Sequence, residues 1–203
     1  MKIVACSDPH GRLAPARALV AASAGAHVAV CAGDLGDRGL GAAAVLEALA
    51  GVACPLLIVS GNHDRLDELA SLVAGRDRVH LLHGTRAEIG GVAFVGLGSA
   101  VALAEPSPKS EWLHETDAER LLASHGACDV LVSHTPPRGA ADVHPDGSSG
   151  GSEAVARAVR RMAPALCLCG HVHRSHGVRA RLGTTLVHNL GPTVSVHELP
   201  GID

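Results

Sequence analysis

A chain of 203 residues is long enough for one large α/β domain with a sizeable core and too short for two of that kind. The net charge of −3 gives no general attraction to nucleic acid or to anionic lipid, which sets aside duplex binding and membrane adsorption as main tasks. With one Trp, one Phe and no Tyr, the core must be filled by Ala, Val and Leu, while 14 histidines stand out as an excess that packing does not require.

In chain order, Ile3 to Cys6 is a short apolar run, followed by a helical stretch from Leu13 to Ala24 that stops at Gly25. His27 to Ala32 reads as a second strand, Ala42 to Ala50 as a helix closed by Gly51, Leu56 to Ser60 as a third strand, and Leu66 to Val73 as a third helix. Strands alternating with helices predict right-handed crossovers and a largely parallel sheet. The middle changes character: Arg86 to Ile89, Gly90-Gly91 and Val92 to Leu97 read as a hairpin with a glycine turn. A polar, proline-bearing stretch from Ala104 to Glu115 carries Trp112, and Asp117 to Ser124 is helical in pattern. Asp129 to Ser133 is a further strand, and Arg138 to Gly151 a long loop. Ser152 is placed to cap a helix that runs to Met162. Leu166 to Cys169, Thr184 to His188 and Thr193 to Leu199 read as β-structure. Neither an internal repeat nor a Ser/Gly linker divides the chain, so residues 1–203 are expected to form a single domain.

Each of the six cysteines falls in or beside a run read as a buried strand, where small reduced thiols are the expectation. Cys167 and Cys169 lie two apart on one strand and share a face. Reduced thiols, an N-terminal apolar run too short for a signal peptide, and no stretch of about 20 apolar residues together predict a soluble, cytoplasmic protein.

Five short polar clusters each follow an apolar run: Asp8-Pro-His10, Gly33-Asp34-Leu-Gly-Asp37-Arg38-Gly39, Gly61-Asn62-His63-Asp64, His134-Thr-Pro-Pro137 and Gly170-His171-Val-His173. In open α/β sheets, loops at the carboxyl ends of strands converge into sites. The clusters bring four carboxylates, an amide and five imidazoles to such ends. Hard oxygens mixed with neutral imidazoles suit Mn²⁺ or Fe²⁺ in the first place, with Zn²⁺ or Ni²⁺ as alternatives, whereas Mg²⁺ prefers an oxygen-dominated shell. Two such ions need a bridging ligand, and Asp34, central in the set, is the candidate.

In this order the clusters resemble the pattern D-x-H, G-D-x-x-D, G-N-H-D/E, H, G-H-x-H of the calcineurin-like metallophosphoesterase superfamily, with no block missing between Asp8 and His173. The resemblance implies a four-layer α/β/β/α sandwich with a dinuclear metal centre at the carboxyl ends of the strands. It implies Asp8, His10 and His173 on one ion, Asn62, His134 and His171 on the other, and Asp34 on both. It also implies hydrolysis of a phosphate ester by in-line attack of a hydroxide shared between the ions, with His63 as general acid. Within the superfamily the G-D-x-x-D-R-G stretch resembles the protein-phosphatase and dinucleoside-polyphosphatase branch. That branch suggests that Asp37 orients His63 and that Arg38 binds a phosphate oxygen; the alternative is that Asp37-Arg38-Gly39 caps the next helix. His134-Thr-Pro-Pro137, Gly150-Gly151-Ser152 and Asn189-Leu-Gly191-Pro192 resemble small bacterial and archaeal phosphoesterases instead.

The substrate expectation is therefore a small-molecule phosphodiester or phosphomonoester, cyclic nucleotides included. A protein or dinucleoside-polyphosphate phosphatase, or a retired enzyme used as a binding scaffold, is the alternative. Among the other histidines, His27, His80, His83, His114, His125 and His197 are assigned structural or surface roles, while His144 and His176 are open between substrate contact and no role. Arg138 and Arg174 flank candidate ligands and are either phosphate contacts or solvated charges; Trp112 is read first as a plug for its loop.

Overall fold

The computed structural model describes residues 1–102 and 111–199. Part of the stretch from Ala104 to Glu115 therefore lies outside the described residues.

Two sheets form the centre. The first takes β1 (Lys2–Cys6), β2 (Val28–Ala32), β3 (Leu56–Val59), β4 (Val79–Leu81) and β13 (Ser195–Glu198) in the order β13-β1-β2-β3-β4, with only β13 antiparallel to its neighbour. The second takes β5 (Thr85–Ile89), β6 (Val92–Leu97), β9 (Val130–Ser133), β10 (Leu166–Cys169), β11 (Arg179–Leu182) and β12 (Thr185–Asn189) in the order β11-β12-β10-β9-β6-β5. Its four inner strands are parallel, and β5 and β11 run antiparallel at the edges. A small parallel pair, β7 (Ala100–Ala102) and β8 (Trp112–His114), stands apart.

Why the central strands are uniformly apolar follows from the layering. In β1, Ile3 and Ala5 face the second sheet with Val30, Leu57, Phe94, Val132 and Leu168. Val4 and Cys6 face outward with Cys31 and Ile58. Side chains alternate across a strand, so a sheet covered on both faces needs apolar residues at every position. The outward face of the first sheet is covered by α1 (Leu13–Ala22), α2 (Ala42–Ala48) and α3 (Leu66–Val73) through Ala16, Leu19, Val45, Leu46 and Leu69. That of the second is covered by α4 (Glu115–Ala123) and α5 (Glu153–Met162) through Ala118, Leu122, Val155 and Val159. The result is the α/β/β/α sandwich. Cys167 and Cys169 indeed share a face, in the layer under α5, and all six cysteines are buried free thiols.

Several boundaries differ from the sequence reading. The first helix ends at Ala22, where the Ser23 hydroxyl turns back to donate to the Val20 carbonyl and Gly25 takes the left-handed exit. The second tightens after Ala48 into a 3-10 turn, Leu49–Gly51. The fourth starts two positions early, at Glu115, whose carboxylate accepts from the Ser152 hydroxyl and the Glu153 and Ala154 N–H groups. Ser152 is the N-cap of α5, accepting from Val155 N at 3.1 Å. The hairpin turn has both Gly90 and Gly91 at positive φ, as a two-residue turn of matching twist demands. No helix among the described residues is long and apolar enough to cross a membrane.

Candidate metal centre

All five polar clusters lie at the carboxyl ends of adjacent parallel strands. β1, β2 and β3 deliver Asp8 and His10, Asp34, and Asn62 and His63; β9 and β10 deliver His134, and His171 and His173. The chain must turn at once when each strand ends, and it does so through residues held in the left-handed region: Asp8 at φ 55°, His10 at 48°, Asp34 at 53° and His171 at 67°. Such a backbone costs a residue with a side chain on the order of 1–2 kcal/mol. Four of the seven expected metal ligands accept that cost, a concentration of strain typical of functional sites.

Two donor sets meet at Asp34. On one side, the facing atoms of Asp8, His10, Asp34 and His173 all lie within 4.8 Å of one another. His10 Nε2 is 3.1 Å from His173 Nε2, 3.8 Å from Asp8 Oδ1 and 3.5 Å from Asp34 Oδ2, and His173 Nε2 is 3.5 Å from Asp8 Oδ1. On the other side, His134 Nε2 is 3.4 Å from Asp34 Oδ2 and 3.3 Å from Asn62 Oδ1, which is 3.0 Å from His171 Nδ1. Donors that share an ion at bonds of about 2.1 Å sit roughly 3.0–3.4 Å apart in octahedral or tetrahedral arrangements. The second set, at 3.0–3.4 Å, falls in that range, and the first, at 3.1–3.8 Å, runs slightly wider. One oxygen, Asp34 Oδ2, belongs to both sets, while Asp34 Oδ1 is fixed by the His63 N–H at 2.8 Å.

Three glycines of the motifs have a common packing reason. A side chain at Gly33 would collide with the His134 ring, one at Gly61 with the Asp34 carboxylate, and one at Gly170 with Asp8 and Ser7. Each glycine thus makes room for a donor contributed by a different cluster. Asp64 ties the first sheet's loops together: buried, it accepts from the N–H groups of Leu35, Gly36 and Gly61 at 2.7–3.1 Å. Burial outweighs those donors and pushes its carboxyl up to about 6.

Burial and neighbouring charges act against each other across these side chains. Burial would raise the Asp8 and Asp34 carboxyls, yet both are held below the ordinary carboxylate range. His173, His176, His134 and Ser7 act on Asp8, and His134 and the His63 N–H act on Asp34. Burial opposes charge on His134 too, but Asp34 and Asp8 push it up to about 9. His171, desolvated and facing His134, falls to about 3 and keeps a free lone pair. The Ala32 carbonyl accepts a hydrogen bond from His134 Nδ1–H at 2.9 Å and so turns Nε2 toward Asp34 and Asn62.

The second cluster's extension does not cap α2. Helix α2 starts after Gly41 without a side-chain cap, and Asp37 to Leu40 instead form a tight turn with reciprocal backbone bonds. That turn sets Asp37 Oδ1 2.9 Å from His63 Nδ1 and the Arg38 N–H 3.1 Å from the same nitrogen. The Arg38 side chain is exposed and makes no hydrogen bond or ion pair among the described residues.

Other candidates separate clearly. Arg138 turns to Glu153, 3.3 Å away, and Arg174 is exposed. Trp112 and His171 stand edge to face, 5.8 Å between centroids, so the indole walls the site, while most of the loop it was expected to plug lies outside the described residues. His27, His125 and His197 bond within the scaffold, to Lys2 N, the Gly84 carbonyl and His188 respectively. His176 joins the site, beside Asp8. Sequence reasoning assigned no role to Ser7, Asp64 or Asn189, although the last two fall inside quoted motifs. The Asn189 amide donates to the Ala141, Gly170 and Val172 carbonyls and so fixes the loop that carries His171 and His173.

The family model described as calcineurin-like phosphoesterase matches residues 1–175. The uncharacterized protein MJ1162 of Methanocaldococcus jannaschii is 30% identical over 209 residues, covering 95% of this chain and 88% of that protein. The crystal structure of TT1561 of Thermus thermophilus superposes with a TM-score of 0.76 at 21% identity, covering 97% of each chain. A dimetal phosphatase from Danio rerio superposes with a TM-score of 0.60 at 16% identity, covering 95% of this chain and 88% of its own. A matching family model over most of the length, together with its motif residues converging in space, makes the chain a member of the calcineurin-like phosphoesterase family.

Proposed function

We propose that the protein is a metal-dependent hydrolase of small phosphodiesters or phosphomonoesters. The observation that carries this reading is the shared oxygen, Asp34 Oδ2, standing 3.5 Å from His10 Nε2 and 3.4 Å from His134 Nε2. Asp8, His10 and His173 would hold one divalent ion, Asn62, His134 and His171 the other, and Asp34 both; Mn²⁺ or Fe²⁺ suits this mixed oxygen and imidazole set best. Two bound divalent ions supply Lewis-acid charge for the phosphoryl oxygens and activate water.

The chain's own residues supply the remainder. His63 stands at the rim, its Nδ1 against Asp37 and its ring edge-on to His10 at 4.8 Å, leaving Nε2 as the proton donor to a departing alkoxide. Asp37 orients the imidazole. Arg38, free of intramolecular partners among the described residues, reaches a phosphate oxygen with its planar fork. Asp64 and Asn189 keep the donor loops in place.

A panel of cyclic nucleotides, dinucleoside polyphosphates, phosphopeptides and aryl phosphates tests the proposal, run with Mn²⁺, with Fe²⁺ under anaerobic conditions, and with chelator. Turnover of at least one small ester, abolished by chelation and restored by the ion, is expected. Protein carrying two ions per chain yet inert toward every ester would refute it.

A further inference from the structure

On that reading of the centre, one histidine outside the family motif needs a role. His173, Arg174 and Ser175 form a single 3-10 turn with His176 directly after it. In 3-10 geometry positions i and i+3 eclipse. The His173 and His176 rings accordingly lie over one another, 4.7 Å between centroids with planes inclined by 40°. Both aim Nε2 at Asp8, but at different oxygens: His173 at Oδ1 at 3.5 Å, His176 at Oδ2 at 3.4 Å. The His176 nitrogen is buried and makes no hydrogen bond among the described residues, and Asp8 Oδ2 at 3.4 Å is the polar group it faces.

Both oxygens of Asp8 accept from the His171 N–H, at 3.2 and 3.3 Å, and beyond that shared contact their side-chain surroundings differ. Oδ1 faces His10 and His173, the direction of the first donor set. Oδ2 faces the Ser7 hydroxyl, which donates to it, and His176. Ser7 is itself clamped by Gly191, donating its N–H to the Gly191 carbonyl and accepting from Gly191 N at 3.0 Å. Gly191, at φ 70°, also vacates the volume that the His176 ring fills; any side chain there would strike the ring. Ser7, Gly191 and His176 therefore make one shell around the rear of a single carboxylate.

We propose that His176 is a positioning residue for the first donor set, its Nε2–H set against Asp8 Oδ2 so that Oδ1 is held toward the ion. Partners that orient a ligating carboxylate typically change metal affinity about 10–100-fold when removed. The expected pattern is a selective loss: H176A weakens the Asp8-side ion and spares the Asn62-side ion. H176Q, whose amide N–H reaches the same region, recovers part of the loss. G191A displaces the ring and mimics H176A.

Calorimetric Mn²⁺ titration of chelator-stripped protein tests this in two backgrounds. Asn62→Ala leaves the Asp8-side set whole, and Asp8→Asn leaves the other side whole. A weakening of about 10–100-fold by H176A in the first background only, with partial rescue by H176Q, supports the inference. Unchanged affinity in the first background overturns it, as does equal weakening in both, which marks a merely structural role. Cobalt-substituted protein whose X-ray absorption shows one fewer imidazole in H176Q also overturns it, because His176 would then be a ligand. If the wild-type protein takes up no Mn²⁺, the reading of the centre falls and this inference falls with it, an outcome distinct from wild-type uptake of two ions that H176A leaves unaltered.

Discussion

Lowering the pH should destabilise this protein through a histidine pair far from the polar clusters in sequence. His188 on β12 and His197 on β13 belong to different sheets, and their nitrogens meet across the gap, Nδ1 to Nε2 at 3.2 Å, beside the Ser195 hydroxyl. Burial, helped by the nearby Arg179 guanidinium, holds both near 4; for His197 the His188 ring adds to the effect. The ordinary histidine value is 6.5. With the folded value below the unfolded one, the unfolded chain binds more protons between pH 6.5 and 4. Stability is therefore whole above pH 6.5 and falls as pH drops through this window. At 1.36 kcal/mol per pKa unit, the drop from 6.5 to about 4 makes about 3 kcal/mol for one ring, and about 7 kcal/mol bounds the pair. Even the smaller figure is a large part of a typical folding free energy of roughly 5–15 kcal/mol. Urea unfolding of chelator-treated protein between pH 7.5 and 4.5 measures the slope, with His188→Leu/His197→Leu as the reference, because Asp64, His134 and His171 titrate in both proteins alike. The reference should lose stability less steeply on acidification, and superimposable slopes would refute the reasoning.

Asp34→Asn should reduce bound metal from two equivalents toward none and remove nearly all turnover, since both donor sets lose their shared anionic oxygen; metal analysis after gel filtration reads this directly. His63→Ala should retain both ions and slow esters with poor leaving groups by about 10²–10⁴-fold while sparing activated aryl esters; equal slowing of both, measured as kcat, would assign His63 to positioning. Arg38→Ala should raise KM with little change in kcat, because its guanidinium supports nothing else among the described residues. Gly61→Ala should cost about 1–3 kcal/mol in urea unfolding and also lower metal content, as the new methyl group displaces the Asp34 carboxylate.

The sandwich was readable where burial on both faces left long apolar runs, as in β2 (Val28–Ala32) and β3 (Leu56–Val59), and where glycines or a serine cap ended a helix. Three-residue strands such as Val79–Leu81 and Ala100–Ala102 span too few positions for a period to show. β11, Arg-Ala-Arg-Leu, sits at a sheet edge with both arginines exposed, and its composition resembles a loop. The five clusters were legible as candidate donors because their residue types are unusual at strand ends. What they did not announce is the supporting shell. Ser7 and Asn189 act through hydrogen bonds to residues far away in sequence, and His176 depends on a 3-10 turn that spacing alone does not distinguish from a loop.

The donors are divided between the layers, with Asp8, His10, Asp34 and Asn62 on the first sheet and His134, His171 and His173 on the second. On the dinuclear reading, cations seated there rivet the two halves of the molecule along one seam. Uptake would then register as resistance to melting and to protease at that seam, before any ester is offered. Stripping the ions should loosen the seam first and leave the far edges of both sheets closed.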